Sequence, residues 1–254
     1  MNILINEVEN RLNLKKQKQL RKEKRATRKR KPKAQPFYRD MVQDLFLVIK
    51  GKSYLSARIR CAYTIFTITG IRCEELRTLK NKQVQSLFTN HYVAITRKKR
   101  GPANKKAFLR KCGAQFLIDN KEDFDLLIAR KAEMLSEKYD DENTIDTAIQ
   151  ESFLFSSESK PESPLSRAYF NNMLNKTLLT FKKKFNIETK YTTHSFRHYF
   201  ITELWKDSGD IEYVRQVMGH KFIASTVAYI ENLLDAEHIT KLAKSYNQKV
   251  IREK

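Results

Sequence analysis

Residues 194–230 read HSFRHYFITELWKDSGDIEYVRQVMGHKFIASTVAYI, and this stretch decides the fold because it holds three helical patterns in succession. In the first pattern, apolar residues recur along one helical face: Phe196, Phe200 and Leu204. Asp210 is a candidate N-cap for the second pattern, and Gly219 is a candidate left-handed C-cap that ends it. The third pattern begins in STVAYI. The stretch therefore predicts three helices joined by tight turns.

Helical spacing of apolar residues continues upstream of this stretch. It is present in MVQDLFLVI, in ARIRCAYTIFTI, in DFDLLIARKAEMLSEK and in SPLSRAYFNNMLNKTLLTFKKKF, which opens with a candidate capping serine. One run differs: FTNHYVAITRKKRGPANKKAFLRK is rich in β-forming residues and is broken by Gly-Pro, which predicts a hairpin. We therefore predict a mainly α fold with a small antiparallel β-hairpin, of the α+β class.

The 254-residue chain is strongly basic, because 50 Lys and Arg against 29 Asp and Glu leave a net charge of +21. A protein so far from neutrality commonly binds a polyanion, and nucleic acid is the first candidate. We find no apolar run long enough for a membrane span and no secretory signal pattern, so we expect an intracellular protein. Cys61, Cys73 and Cys112 have no C-x-x-C spacing, which argues against a disulfide framework and a zinc site.

About half of the excess charge lies in the first 34 residues, which hold 13 Lys or Arg and three Glu. The run KKQKQLRKEKRATRKRKPKA has no broad apolar stripe, so we predict a solvated arm or a frayed helix. A localisation or solubilising tail and a phosphate-binding arm fit it equally well. We place the domain boundary at Pro36, with a basic arm over residues 1–36 and one folded domain over residues 37–254. The candidate DNA contacts in the arm are Lys15, Lys16, Arg21, Arg25, Arg28 and Arg30.

A first polar motif lies in TGIRCEEL. Gly70 can make a turn that presents Arg72 at the start of a helix. Glu75 follows three residues later, where its carboxylate can bond that guanidinium or nearby amides. A simple surface ion pair is the plain alternative.

A second motif is His194 with Arg197, which stand three residues apart and project from one side of a helix. Arginine offers parallel donors to phosphodiester oxygens, and histidine can shuttle a proton near neutral pH. In an arbitrary helix such a pair is more often a solvated surface feature. A third motif is His220, which follows a glycine, with Tyr229 nine residues later. A tyrosine at the edge of the core is the plain alternative for that residue.

These motifs together resemble the tyrosine recombinases of the phage-integrase family in order, local spacing and residue type. The matching positions are Thr69-Gly70-x-Arg72-x-x-Glu75-Leu76, His194-x-x-Arg197-His198, Gly219-His220 and Tyr229. The resemblance runs from about residue 37 to the C-terminus. It implies the catalytic-domain fold of that family and a site-specific recombinase or integrase, which cleaves and rejoins DNA through a covalent 3′-phosphotyrosyl intermediate.

The resemblance also implies a role for each matching residue. Arg72 and Arg197 would clamp the scissile phosphate, His194 and His220 would assist charge stabilisation and proton transfer, and Tyr229 would be the nucleophile. Glu75 and His198 would support them without taking part in the chemistry.

The family also uses a hairpin lysine, which would protonate the departing 5′ oxygen. Lys98 is the first choice, Lys99 is nearly equal, and Lys105 is a weaker candidate. Lys99 and Lys105 are also candidate DNA contacts. Because these cations can carry the charge of the reaction, we expect no metal ion and no other cofactor.

The implied partners are double-stranded DNA and further copies of the chain, in a tetramer on DNA. The terminal segment AEHITKLAKSYNQKV would dock on a neighbouring subunit or pack on its own domain. Relatives carry a core-binding domain ahead of the catalytic domain where this sequence has 36 residues, so an accessory protein is a further possible partner. Composition hints at an AT-rich source, which suggests a bacterial cytoplasm or an organelle such as a plastid.

Three other functions fit parts of the pattern. A type IB topoisomerase-like enzyme would use the same residues but rejoin the same duplex. A catalytically silent DNA-binding protein of the same fold would not need a tyrosine at that spacing. A ribonucleoprotein component would prefer RNA and form no covalent adduct.

Overall fold

A computed structural model describes residue 37 and residues 39–96, 104–157, 160–188 and 190–230. The basic arm over residues 1–36, its six candidate DNA contacts and the terminal segment AEHITKLAKSYNQKV lie outside the described residues. No helix within the described ranges is long and apolar enough to cross a membrane.

The described chain is mainly helical, as the sequence predicts, and it contains two small antiparallel sheets. The helices are α1 (Arg39–Val48), α2 (Tyr54–Thr69), α3 (Cys73–Arg77), α4 (Asn81–Asn90), α5 (Gly113–Asp119), α6 (Lys121–Ser136), α7 (Glu142–Glu151), α8 (Arg167–Lys184), α9 (Thr193–Ser208), α10 (Ile211–Met218) and α11 (Ala224–Ile230). The strands are β1 (Tyr92–Thr96), β2 (Asn104–Phe108), β3 (Ser156–Ser157) and β4 (Lys160–Pro164).

The predicted hairpin is confirmed as the β1–β2 pair. The two strands run antiparallel, with Tyr92 opposite Phe108 and Ile95 opposite Lys105. Val93 and Ile95 are buried, as is Ala107 on the second strand, so one face of the hairpin packs on the core. The second pair, β3–β4, is one that the sequence analysis did not predict.

Helix α2 is the centre of the core. It is buried from Ala57 to Thr69 except at Arg60, so other elements cover it on most sides. It packs against α6, α9 and α5. Ser53 caps its start by accepting a hydrogen bond from the Ser56 amide, and Gly70 ends it in the left-handed conformation at φ +60°.

Gly70 is required at that position for two physical reasons. Its positive φ strains any residue with a Cβ, and a Cβ placed there would lie 2.6 Å from Cδ1 of Phe200. The turn after α2 therefore sits directly against α9. This close approach brings Arg72, two residues later, near the first turns of α9.

The three helices predicted over residues 194–230 are confirmed as α9, α10 and α11. The Asp210 carboxylate accepts hydrogen bonds from the Glu212 and Tyr213 amides, and Gly219 ends α10 at φ +60°. The three helices share a small apolar cluster formed by Phe200, Ile201, Leu204, Ile211, Val214, Met218 and Ile230. The corner between α10 and α11 is thereby held at a defined place beside α9.

Candidate active site

Seven of the predicted site residues meet where α3 begins, where α9 begins and where α10 turns into α11. They are Arg72, Glu75, His194, Arg197, His198, His220 and Tyr229. These residues are up to 157 positions apart in the chain, counted from Arg72 to Tyr229. The fold, rather than any single segment, brings them together.

Arg197 is the buried centre of the cluster, with only 3% of its surface exposed. Its Nη1 donates to the Gly70 carbonyl at 2.8 Å, and its Nη2 lies 2.9 Å from Nε2 of His220. Burial lowers the pKa of Arg197 to about 10, and the positive charge of Arg72 acts in the same direction. The guanidinium still carries its charge at neutral pH, and its orientation is fixed from two sides.

Arg72 occupies the N-cap position of α3, as predicted from the turn at Gly70. Its backbone amide donates to Oε2 of Glu75 at 2.8 Å, while its Nη1 donates to Oε1 of the same carboxylate at 2.9 Å. Glu75 is buried, but the Arg72 side chain is 47% exposed. One buried carboxylate thus orients a guanidinium that remains accessible from solvent.

His220 lies at the corner between α10 and α11. Its backbone amide donates to the Arg215 carbonyl at 3.0 Å, and Nη1 of Arg215 donates to the His220 carbonyl at 2.7 Å. Its ring is buried and lies with Nδ1 3.0 Å from the hydroxyl of Thr226. Contacts to both the backbone and the ring therefore set the direction of this imidazole.

Tyr229 lies on α11 and is half-buried among three histidines. Its hydroxyl lies 3.1 Å from Nε2 of His194. The ring centroid lies 4.3 Å from that of His198 and 5.7 Å from that of His220, which is nearly parallel to it. The phenol thus has one hydrogen-bonding imidazole and two packing imidazoles.

His194 is suited to accept a proton in this setting. Desolvation lowers the pKa of His194 below its ordinary value of 6.5, and the charges of Arg197 and then Arg72 lower it further. The lowered pKa favours the neutral imidazole at neutral pH, and its Nε2 can then accept the hydrogen bond from the Tyr229 hydroxyl. The hydrogen position is inferred from this chemistry.

The predicted hairpin lysines divide into two groups. Lys98 and Lys99 lie outside the described residues, so the choice between them stays a prediction. Lys105 is on β2, and its Nζ donates to the Val217 carbonyl near the end of α10. In this structure Lys105 therefore joins the hairpin to the helix that leads into His220, and its role as a DNA contact stays a prediction.

Sequence reasoning missed two contributors to the site. One is the Gly70 carbonyl, which accepts from Arg197 across 127 positions of sequence. The other is Thr226, whose side chain is fully buried against His220. A backbone carbonyl has no residue signature, and a threonine in a helix has no local feature that marks a hydrogen bond to a distant ring.

Comparisons with known proteins place the chain among related sequences. A family model described as the phage integrase family matches residues 36–235. Tyrosine recombinase XerD of Halalkalibacterium halodurans is 35% identical over 78 residues, which are 31% of this chain and 22% of that protein. Tyrosine recombinase XerC of Actinobacillus pleuropneumoniae serotype 7 is 31% identical over 72 residues, or 28% of this chain and 23% of that protein. The match spans about a quarter of the length of these curated relatives.

Solved structures show the same fold at low sequence identity. The crystal structure of XerA recombinase aligns with a TM-score of 0.53 and 19% identity, over 87% of this chain and 67% of that one. The pre-cleavage complex of XerH site-specific recombinase with difH substrate aligns with a TM-score of 0.56 and 21% identity, over 84% of this chain and 55% of that one. The Tn1549 transposon integrase in complex with transposon right end DNA aligns with a TM-score of 0.57 and 16% identity, over 87% of this chain and 68% of that one.

Proposed function

The chain belongs to the phage integrase family, and from this premise we propose that it is a DNA strand transferase that acts as a site-specific recombinase. In this proposal Tyr229 attacks a backbone phosphate of double-stranded DNA and forms a 3′-phosphotyrosyl bond. The observation that carries the proposal is the 3.1 Å contact between the Tyr229 hydroxyl and Nε2 of His194, beside the fixed guanidinium of Arg197.

The first step is activation of the phenol. A protonated phenol is a weak nucleophile at neutral pH, so a neighbouring base must take its proton as the bond to phosphorus forms. His194 fits this role because its lowered pKa favours the neutral form and because it is already within hydrogen-bonding distance. The packing of His198 and His220 against the Tyr229 ring restricts the directions the hydroxyl can take.

The second step is stabilisation of the negative charge on the five-coordinate phosphorus. Arginine presents several N–H donors in one plane, which match phosphate oxygens. Arg197 is buried and fixed in advance, and Arg72 is oriented by Glu75 while remaining exposed. Donors fixed in this way need no reorganisation during the reaction, and each is worth about 3 kcal/mol of barrier.

The third step is protonation of the departing 5′ oxygen, which we assign to Lys98 on the family resemblance. The energy of the broken bond is kept in the phosphotyrosyl link, so rejoining requires no nucleotide. A 5′ hydroxyl from a second duplex then attacks that link, which releases Tyr229. This exchange requires two duplexes, and we propose a homotetramer on DNA for it.

We further propose that residues 37–254 form the catalytic domain and that residues 1–36 are a basic arm that contacts DNA phosphates. Contacts to phosphates position a protein on DNA but carry no base sequence. We therefore expect DNA binding by the arm to weaken strongly as salt rises. We therefore assign recognition of the target base sequence to parts of the protein–DNA assembly other than the arm.

The test is covalent capture on a nicked suicide DNA substrate, in the presence of EDTA, followed by denaturing electrophoresis. We expect a protein–DNA adduct with wild type and none with Tyr229→Phe, while DNA affinity is retained. Tyr213→Phe is the matched control, because Tyr213 is exposed on α10 and is not one of the seven residues of the candidate site. An adduct that persisted in Tyr229→Phe and vanished in Tyr213→Phe would refute the proposed nucleophile.

A further inference from the structure

We infer that Thr226 is a positioning residue that holds His220 in a single tautomer, with the ring proton on Nδ1 and a lone pair on Nε2 facing Arg197. The consequence for catalysis rests on the proposed function, whereas the tautomer is a property of the protein without DNA. Two hydrogen bonds of the buried His220 ring carry the inference.

The first hydrogen bond decides which nitrogen has the lone pair. Nη2 of Arg197 lies 2.9 Å from Nε2 of His220, and both side chains are buried. A guanidinium has only donors and keeps its protons in proteins. Nε2 must therefore accept, and a proton on Nε2 would place two donors against each other at this distance.

The second hydrogen bond accounts for the one ring proton of neutral His220. A neutral imidazole carries one N–H, and Nε2 has been assigned as the acceptor, so the proton is on Nδ1. Nδ1 lies 3.0 Å from Oγ1 of Thr226, a hydroxyl that can accept. Thr226 has no exposed surface, so solvent does not replace this contact. Loss of the hydroxyl would leave a buried N–H unsatisfied, which favours a different ring orientation or tautomer.

The same hydroxyl links the imidazole to the helix that carries the nucleophile. Thr226 and Tyr229 lie three positions apart on α11, and the Tyr229 ring stacks near the His220 ring at 5.7 Å. The hydrogen bond to Thr226 therefore sets the orientation of His220 relative to both Arg197 and α11. His220, held in this orientation, and the Gly70 carbonyl together fix the Arg197 guanidinium before DNA binds.

This tautomer sharpens the role of His220 in the proposed reaction. With a lone pair on Nε2, His220 orients Arg197 in the DNA-free protein and does not donate a proton from that nitrogen. His220 is then a hydrogen-bond acceptor that prepares the phosphate-binding guanidinium. The arrangement is similar to that of the orienting partners of metal-bound histidines, whose removal lowers activity by about 10- to 100-fold.

The direct test is nitrogen-15 NMR of the histidine rings in the full chain without DNA, at neutral pH. The His220 signals are identified as those lost in His220→Gln. We expect Nδ1 to resonate as a protonated nitrogen and Nε2 as an unprotonated one. The reverse pattern, or a rapidly exchanging mixture of both, would overturn the inference whether or not the protein cleaves DNA.

The second test uses variants of Thr226. Thr226→Val removes the hydroxyl at nearly constant shape and should lower the rate of adduct formation by about 10- to 100-fold. Thr226→Ser retains the hydroxyl and should restore both the rate and the NMR pattern. The matched control is Thr202→Val on α9, whose buried hydroxyl has no hydrogen-bond partner among the described residues.

The outcomes separate this inference from the proposed function. A Thr226→Val protein with the wild-type NMR pattern and wild-type rate would overturn the inference. If that variant does not fold, the NMR pattern of wild type still decides. Absence of an adduct in wild type, with the expected NMR pattern, would count against the proposed function and leave the tautomer assignment standing.

Discussion

Two regions of the molecule bury cationic side chains, and they do so in different ways. Beneath the β3–β4 sheet, Nη2 of Arg58 donates to the Ser156 carbonyl at 3.0 Å. Nζ of Lys131 donates to the carbonyls of Phe153 and Leu154. Neither cation forms an ion pair within the described residues, and both are at most 5% exposed. We refer to Arg58 and Lys131 as the buried cation pair.

In the candidate site, a buried cation lies next to a cation that solvent reaches. Arg197 is as buried as the cation pair, but it contacts one carbonyl and one imidazole and lies beside the exposed guanidinium of Arg72 and the hydroxyl of Tyr229. The buried cation pair donates its hydrogen bonds to backbone carbonyls. Arg58 and Lys131 therefore stabilise the chain segment around Ser156. Burial of a cation alone does not mark a site. A buried cation that lies beside a nucleophile and beside a second, solvent-exposed cation does.

The largest effect that separates the two regions is expected for Arg197→Ala. Loss of this guanidinium removes a fixed donor for the phosphate, so we expect adduct formation to slow by roughly 10²- to 10³-fold, about 3 to 4 kcal/mol of barrier. DNA affinity should change much less. The measurement is the single-turnover rate on the suicide substrate, with affinity measured in parallel.

Arg58→Met is the matched control for that experiment. It leaves the Ser156 carbonyl without its donor, so stability should fall by about 1 to 3 kcal/mol while the folded protein cleaves at the wild-type rate. Urea denaturation and the same single-turnover assay measure the two quantities. A slow but fully stable Arg58→Met protein would remove the distinction between the two regions.

The next effect is the pH dependence of stability from Lys131. Burial lowers the pKa of Lys131 from 10.5 to about 7, with the charge of Arg58 acting in the same direction. Between these values the unfolded chain binds the proton and the folded chain does not, so the free energy of unfolding rises with pH. The slope should approach about 1.4 kcal/mol per pH unit.

Lys131→Met removes this titration at similar side-chain length. Wild type should therefore gain stability relative to Lys131→Met as the pH is raised from 7 to 9, as measured by urea denaturation at each pH. Burial raises the pKa of Cys61 well above its ordinary value, and the charge of Lys131 offsets this only in part, so the thiol stays protonated in both folded proteins. Parallel stability curves for the two proteins would show that Lys131 does not titrate in this range.

The smallest effect concerns the electrostatics of the candidate site. Desolvation is the main cause of the lowered pKa of His194, and the charges of Arg197 and Arg72 add to it. Arg72→Gln should therefore move the titration midpoint of His194 upward, toward 6.5, without reaching it. Histidine NMR titration of the DNA-free protein measures this shift. A midpoint that moved downward would contradict the described arrangement of charges.

The parts of the fold that sequence could predict are those with local signals. Gly70 and Gly219 end helices in the left-handed conformation, Asp210 caps one, and the Gly-Pro break marks the hairpin. Each signal depends on residues a few positions apart. Arg72 and His220 lie one or two positions after these glycines, so sequence could predict which residues form the site but not the distances between them.

The parts that sequence could not predict depend on contacts between distant residues. The β3–β4 sheet has a strand of two residues, and the Arg58 contact that supports it spans 98 positions. The contact between Arg197 and the Gly70 carbonyl spans 127 positions. Such contacts are made by backbone atoms or by residues without a periodic pattern, and only the folded chain brings them together.

The central claim is that the gathered cations direct one phenolic oxygen to a DNA phosphate, and peptide mapping of the covalent adduct tests it most directly. After trypsin and nuclease digestion, mass spectrometry should find the nucleotide remnant on FIASTVAYIENLLDAEHITK, residues 222–241, in which Tyr229 is the one tyrosine. A remnant on another peptide, such as one that contains Tyr213 or Tyr246, would contradict the account.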